Sequence, residues 1–158
     1  MDELRTGLGF DVHPRAAGRP LRLGGVEFEG EDGLAGHSDG DVVCHALADA
    51  LLGAAALGDV GEHFPDDDPD VEGIAGLRLL GRTVELIRAA GFVPAGADVI
   101  VIADRPPVAP ARPAMRTALA DTLGLALERV SVKATRPEGL GLSGDGAGCL
   151  AVATLRLG

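Results

Sequence analysis

Asp11-Val12-His13 closes an extended run that begins at Leu4, and Gly36-His37-Ser38-Asp39-Gly40-Asp41-Val42-Val43-Cys44-His45 leads into an apolar, alanine-rich segment with helical spacing. A strand that ends, and a helix that begins, with metal-type ligands set the reading of the whole chain. Asp11 and His13 stand two apart, so on a strand both side chains leave the same face and can share one ion. His45 falls one helical turn after Asp41, where a neutral imidazole has little to do unless something uses its lone pair. Two imidazoles and one carboxylate form a ligand set that zinc, or another divalent transition metal, accepts in catalytic sites with a fourth position open. Singly each part has a bland reading, since Asp-x-His occurs by chance and a helical His is often a satisfied core residue. The stretch between them raises the odds, because His37, Ser38 and two Asp around Gly40 are more short polar groups than a helix cap needs.

At 158 residues the chain has the length of one domain, 1–158, able to bury about two-thirds of its unfolded surface. Hydrophobic residues are 46% and aromatics 3%, so the core must be built from Ala, Val, Leu and Ile, and without Trp or Tyr there is little to stack on bases. The net charge of -10 argues against nucleic acid and against an anionic membrane, because binding to either needs Lys and Arg to neutralise phosphate. An acidic protein that handled a phosphorylated small molecule would need cations in its site. Cys44 and Cys149 sit far apart in apolar contexts and read as buried thiols. Met1 to Arg5 carries no apolar targeting segment and no run is long enough to span a bilayer, which leads us to expect a cytoplasmic protein.

Periodicity and breakers predict a strand from Leu4 to Val12 and a second extended piece from Pro20 to Gly30, turned into a hairpin at Gly24-Gly25. Ser38 or Asp39 is expected to cap a helix from about Asp41 to Leu57, ended by Gly58. An acidic loop follows to Gly73. Ile74 to Ala90 has apolar residues spaced by three and four, with Gly91 at its end. Ala97 to Ala103 reads as a strand, Pro110 to Leu123 as a helix stopped by Gly124, Arg129 to Ala134 as a strand and Cys149 to Leu157 as the closing strand. This order implies an α+β fold with one mixed sheet covered by helices on one face. The other face must be polar or buried against another copy, and the apolar closing strand favours an oligomer.

Three loops look like site loops. Asp59-Val60-Gly61 and Phe64-Pro65-Asp66, continued by Asp67 and Asp68, offer carboxylates for hydroxyl groups, although Asp and Gly are common in any turn. Ala103-Asp104-Arg105-Pro106-Pro107-Val108-Ala109 follows one strand, and Ala134-Thr135-Arg136-Pro137-Glu138 follows another with a hydroxyl, a cation and a carboxylate. His37 is either a solvated loop residue or a donor to a phosphate oxygen beside the free amides of the next helix. Neither the P-loop nor the dinucleotide glycine fingerprint is present.

Gly9-Phe10-Asp11-Val12-His13, His37-Ser38-Asp39-Gly40-Asp41-Val42 with His45-Ala46, Asp49-Ala50-Leu51-Leu52-Gly53-Ala54, Leu57-Gly58-Asp59-Val60-Gly61 and Phe64-Pro65-Asp66 together closely resemble the 2-C-methyl-D-erythritol 2,4-cyclodiphosphate synthase family. The likeness runs end to end and is carried beyond residue 70 mainly by Val132-Lys133-Ala134-Thr135, Glu138 and Leu140-Gly141. It implies a homotrimer packed around a threefold axis, with active sites between neighbours, and a lyase of the non-mevalonate isoprenoid route that cyclises 4-diphosphocytidyl-2-C-methyl-D-erythritol 2-phosphate and releases CMP. It further implies Zn²⁺ on Asp11, His13 and His45, and Mg²⁺ or Mn²⁺ on the diphosphate with help from Glu138. His37 would stabilise the transition state. Residues 11–13, Ser38, 59–61 and 64–68 would shape the methylerythritol site, and 103–109 with 134–138 the cytidine end.

The departures from the family pattern lie in the last third. Arg136 stands where a second Thr is common and is assigned that residue's catalytic part. Leu142, Asp145, Ala147 and Val152 replace a Phe, an Arg and two Glu. An Asp facing substrate phosphate would repel it by roughly 4 kcal/mol at about 4 Å and an effective dielectric near 20. Asp145 is therefore expected near the trimer axis, and the alternative is a catalytically weakened trimeric metal- or nucleotide-binding protein on the same scaffold. A zinc hydrolase is the third reading, disfavoured because no further general base is spaced for it.

Overall fold

Strand β1 runs from Leu4 to Leu23, well past the predicted end at Val12, in a computed structural model that describes residues 3–141 and 145–158. Pro14, Gly18 and Pro20 read as breakers in isolation, yet β1 changes partner there. Its first part, Leu4 to Pro14, pairs with β5 (Gly146–Leu157), and Arg15 to Leu23 pairs with β2 (Val26–Leu34). Prolines fall where ladder donors are dispensable, at the handover and at an irregularity in the register. The expected Gly24-Gly25 hairpin turn is present, with both glycines at positive φ.

The five-stranded sheet has the order β2-β1-β5-β3-β4. Only β3 (Phe92–Ile102) and β4 (Val130–Thr135) are parallel; the other pairings are antiparallel, so the sheet is mixed as predicted. β3 begins five residues before the predicted Ala97, because Pro94 and Gly96 flank a register shift that the sequence presents as a break. A short helix α2 (Val60–His63) interrupts the acidic loop and was not foreseen.

Helix α1 (Val42–Ala55) lies on the inner face of β1 and β5. It can do so because Gly7 and Gly9 face it: a Cβ at Gly7 would collide with the Ala50 carbonyl oxygen, and one at Gly9 with that of Ala46. Every residue of α1 is buried except His45, Asp49 and Gly53, which recur at intervals of four and form one stripe. That stripe is the only part of the helix turned away from the core. Helices α3 (Gly76–Ala89) and α4 (Arg112–Leu123) complete the layer. Leu79, Leu80, Thr83, Val84 and Ile87 bury one side of α3, and Gly124 at φ 69 stops α4 as predicted.

Capping differs from the expectation. Asp41, not Ser38 or Asp39, caps α1, accepting from the amides of Val43 and Cys44 at 3.1 Å each and, across the core, from Gly24 and Gly25. Asp39 instead accepts from the amide of Gly76 at 2.8 Å and so serves the start of α3. Ala56, in the left-handed conformation at φ 57, ends α1 before the predicted Gly58. Cys44 and Cys149 are free and buried, and burial pushes both thiols well above the usual range. Among the described residues no helix is long and apolar enough to cross a membrane.

Candidate metal centre and substrate cavities

Asp11 and His13 stand on β1 and pair with Cys149 and Ala147 of β5, while His45 descends from α1 onto the same face. The glycine-mediated approach of α1 to β1 is what brings them together. His13 Nε2 and His45 Nδ1 lie 3.0 and 3.1 Å from the same Asp11 oxygen, and the three potential ligand atoms all fall within 4.8 Å of one another. Three ligands at 2.0–2.2 Å from a tetrahedral ion stand about 3.4 Å apart, so each imidazole lies within a few tenths of an ångström of that spacing from the Asp11 oxygen, and the donor set is one that zinc accepts.

Burial works against the Asp11 charge, but hydrogen bonds with His13 and His45 outweigh it and hold the carboxyl down to about 2. Burial likewise opposes a charged His45, yet the Asp11 carboxylate raises its pKa. Ser38, buried, completes the group with its Oγ 2.9 Å from His45 Nε2 while accepting from the Gly40 amide at 3.2 Å. A cation held by Nδ1 would leave the ring proton on Nε2, where Ser38 Oγ stands ready to accept it and hold the ring in place.

These residues open into a cavity of about 350 Å³ whose wall also includes His37, Asp59, Val60, Gly61, Phe64 and Asp66. His37 is largely exposed and its Nδ1 lies 3.3 Å from Asp66 Oδ1. Asp59 caps α2 through the Glu62 amide at 3.0 Å. Pro65, Asp67 and Asp68 lie off the wall, with Asp68 occupied by the Asp70 amide at 2.9 Å. Val12 is on β1 between Asp11 and His13, so its side chain leaves the opposite, open face and is 42% exposed.

Asp49 is a cavity residue to which the sequence reading gave no role. It stands one turn beyond His45, its Oδ1 accepts from the Val60 amide at 2.8 Å, and burial raises its pKa. The signal was its i+4 spacing from His45 on one helix face. Val71 and Leu79, from the loop and α3, supply apolar wall that a motif search does not single out.

Ala103, Asp104, Pro106, Pro107, Val108, Ala109, Ala134, Thr135 and Arg136 are also brought together, around a separate cavity of about 280 Å³. It shares no lining residue with the first, so within one chain the two sets of site residues face different spaces. Arg105 turns away to Glu31 at 3.1 Å; Pro137 and Glu138 lie outside the lining, with Glu138 exposed at φ 52. Asp145 lines neither cavity and its carbonyl accepts from the Arg15 amide at 2.9 Å. Ala147 is buried on the inner face, Val152 stands on the open one, and Leu142 lies outside the described residues.

Residues 4–157 match the sequence profile of the YgbB family. The chain belongs to the YgbB family. A 2-C-methyl-D-erythritol 2,4-cyclodiphosphate synthase from Gloeobacter violaceus is 51% identical to this YgbB-family chain over 91% of it and 88% of the relative. The bifunctional IspDF of Campylobacter jejuni superposes with a TM-score of 0.94 at 41% identity, covering 100% of this chain and 43% of the bifunctional protein, so only part of that enzyme has a counterpart here. A solved 2C-methyl-D-erythritol-2,4-cyclodiphosphate synthase in its CDP-bound form gives a TM-score of 0.88 at 37% identity over 96% of this chain and 99% of the other.

Proposed function

We propose that this YgbB-family chain cyclises 4-diphosphocytidyl-2-C-methyl-D-erythritol 2-phosphate to 2-C-methyl-D-erythritol 2,4-cyclodiphosphate and releases CMP, a phosphorus-oxygen lyase reaction. The observation that carries the reading is the convergence of Asp11, His13 and His45 on a cavity that also presents His37, Asp59 and Asp66. An oxygen of the 2-phosphate attacks the β-phosphorus, the bond from that phosphorus to the bridging oxygen breaks, and CMP leaves with that oxygen. No water is consumed.

Phosphoryl transfer asks mainly for positioning and charge neutralisation. Zn²⁺ on Asp11, His13 and His45 would polarise and orient the β-phosphate as a Lewis acid. His37 reaches the same space from the loop before α1 and donates to a phosphate oxygen as charge develops. Asp59 and Asp66, with the Phe64 ring behind them, receive the hydroxyl groups and carbon skeleton of the methylerythritol. The residues from Ala103 to Ala109, with Ala134 to Arg136, hold the cytidine end, and the Arg136 guanidinium offers charge-assisted hydrogen bonds to the diphosphate. Glu138, exposed beside them, would help hold Mg²⁺ or Mn²⁺, which would supply positive charge to the diphosphate.

One substrate needs both cavities, and one chain holds them apart, so we infer that the working site is shared between copies. Leu8, Phe10 and Val12 of β1 stand on the open sheet face at 66%, 49% and 42% exposure, beside Leu150 and Val152 of β5. Asp98 on the same face has a buried oxygen without a partner among the described residues. An apolar face of this kind favours association, and a homotrimer around a threefold axis satisfies both needs. Two free thiols suit the reducing cytoplasm. Incubation with the diphosphocytidyl substrate, Zn²⁺ and Mg²⁺ tests the proposal. CMP release that disappears in Asp11→Asn supports it, and absence of CMP from the zinc-loaded wild-type protein overturns it.

A further inference from the structure

A bulge in β1 turns Arg19 toward the loop that carries His37. Ala16 pairs with Gly33 and Pro20 with Asp32, which leaves Ala17, Gly18 and Arg19 as extra residues on β1. Bulges of this kind re-aim side chains. Gly18 takes φ 78, and Gly33 opposite has no room for a Cβ, which would strike the carbonyl oxygens of Arg19 and Pro20. The guanidinium then spans the loop. Its Nη1 donates to the Gly36 carbonyl at 2.7 Å and its Nη2 to the Ser38 carbonyl. The His37 carbonyl between them accepts from the Gly73 amide at 2.7 Å, so three consecutive carbonyls are tied.

The His37 imidazole, by contrast, is 62% exposed, with Asp66 Oδ1 3.3 Å from its Nδ1. Its direction is therefore set mainly by the backbone that carries it. Arg19 lines neither cavity and touches no proposed ligand. A planar guanidinium holds two acceptors at a fixed spacing, whereas an ammonium group offers a single point charge.

We propose that Arg19 is a positioning residue for His37, holding the carbonyls on both sides of it so that the imidazole points into the metal cavity. The inference rests on the cyclisation reading, in which His37 stabilises developing charge. Arg19→Ala and Arg19→Lys, each checked for zinc content and melting temperature, are assayed for CMP release. Both are expected to lower kcat by about tenfold or more with KM within about threefold, because misplacement of a catalytic group acts on the transition state. In a His37→Gln background, Arg19→Ala should cost nothing further, as expected of residues acting through one group. Should Arg19→Ala fail to fold, Arg19→Lys carries the test. A kcat within about threefold of wild type, or a loss that adds in full to that of His37→Gln, overturns the proposal. Proton NMR gives a readout without turnover: the His37 ring signal, identified by its loss in His37→Gln, should move in the Arg19 variants while that of His63 stays. An unmoved His37 signal overturns the clamp. If the wild-type protein releases no CMP, the cyclisation reading falls and the NMR result alone decides the role of Arg19.

Discussion

Ser38 Oγ meets His45 Nε2 at 2.9 Å, and this contact supports the ring on the side away from Asp11. The sequence offers Ser38 as a helix cap or a substrate contact, and nothing in residue order reveals that it backs the His45 ring. Ser38→Ala should lower zinc affinity by about 10–100-fold with the fold intact, whereas His45→Ala should abolish zinc binding. Metal analysis with circular dichroism checks both; unchanged zinc content in His45→Ala would remove the assigned ligand. The buried thiols give a pH prediction. A cysteine of the unfolded chain ionises near 9.0, while burial raises Cys44 and Cys149 well above that. The folded state then keeps protons that the unfolded state gives up, so stability is fully present below 9.0 and falls as pH rises beyond it. At one unit higher the loss is about 1.4 kcal/mol per thiol. Melting temperatures at pH 8 and pH 10 should diverge more for the wild-type protein than for the Cys44→Ala, Cys149→Ala double variant; equal divergence contradicts the assignment.

At the scale of elements, the site depends on how closely α1 approaches β1. Gly9→Ala should push the Ala46 carbonyl away, destabilise by about 1–3 kcal/mol, and carry His45 out of reach of Asp11. Denaturant unfolding together with zinc titration measures the two effects; a variant with normal stability and zinc affinity would show that the contact is not needed. Most elements were legible because apolar spacing and terminal glycines marked them, as with α3 before Gly91 and α4 before Gly124. That Asp11 and His13 share one face was legible too, because Asp-x-His on a strand fixes it whatever the strand packs against. What stayed hidden depends on tertiary partners. Pro14 and Pro20 look like breaks until β5 and β2 are known to exchange along β1, and Asp39 gives up the α1 cap to Asp41 because α3 begins beside α1. Asp49 carries no motif of its own and gains meaning only when Val60 comes to meet it.

For the whole molecule, the separation of the two cavities and the apolar open face of the sheet both support the proposal of a site completed by a neighbouring copy. Phe10→Asp places a charge on that face without touching the inner face that holds the ligands. Light scattering should change from three times the chain mass to the 16.0 kDa of one chain, with loss of CMP release and retention of zinc. A wild-type protein that is monomeric at micromolar concentration would contradict a shared site.

The central claim is that the 2-phosphate of the substrate, rather than water, is the nucleophile. Phosphorus NMR of the complete reaction in ¹⁸O-enriched water tests it most directly. The account predicts CMP and a cyclic diphosphate that both lack solvent oxygen, whereas ¹⁸O in either phosphorus product, or an open-chain diphosphate in place of the cyclic one, would mark a metal-assisted hydrolase and contradict it.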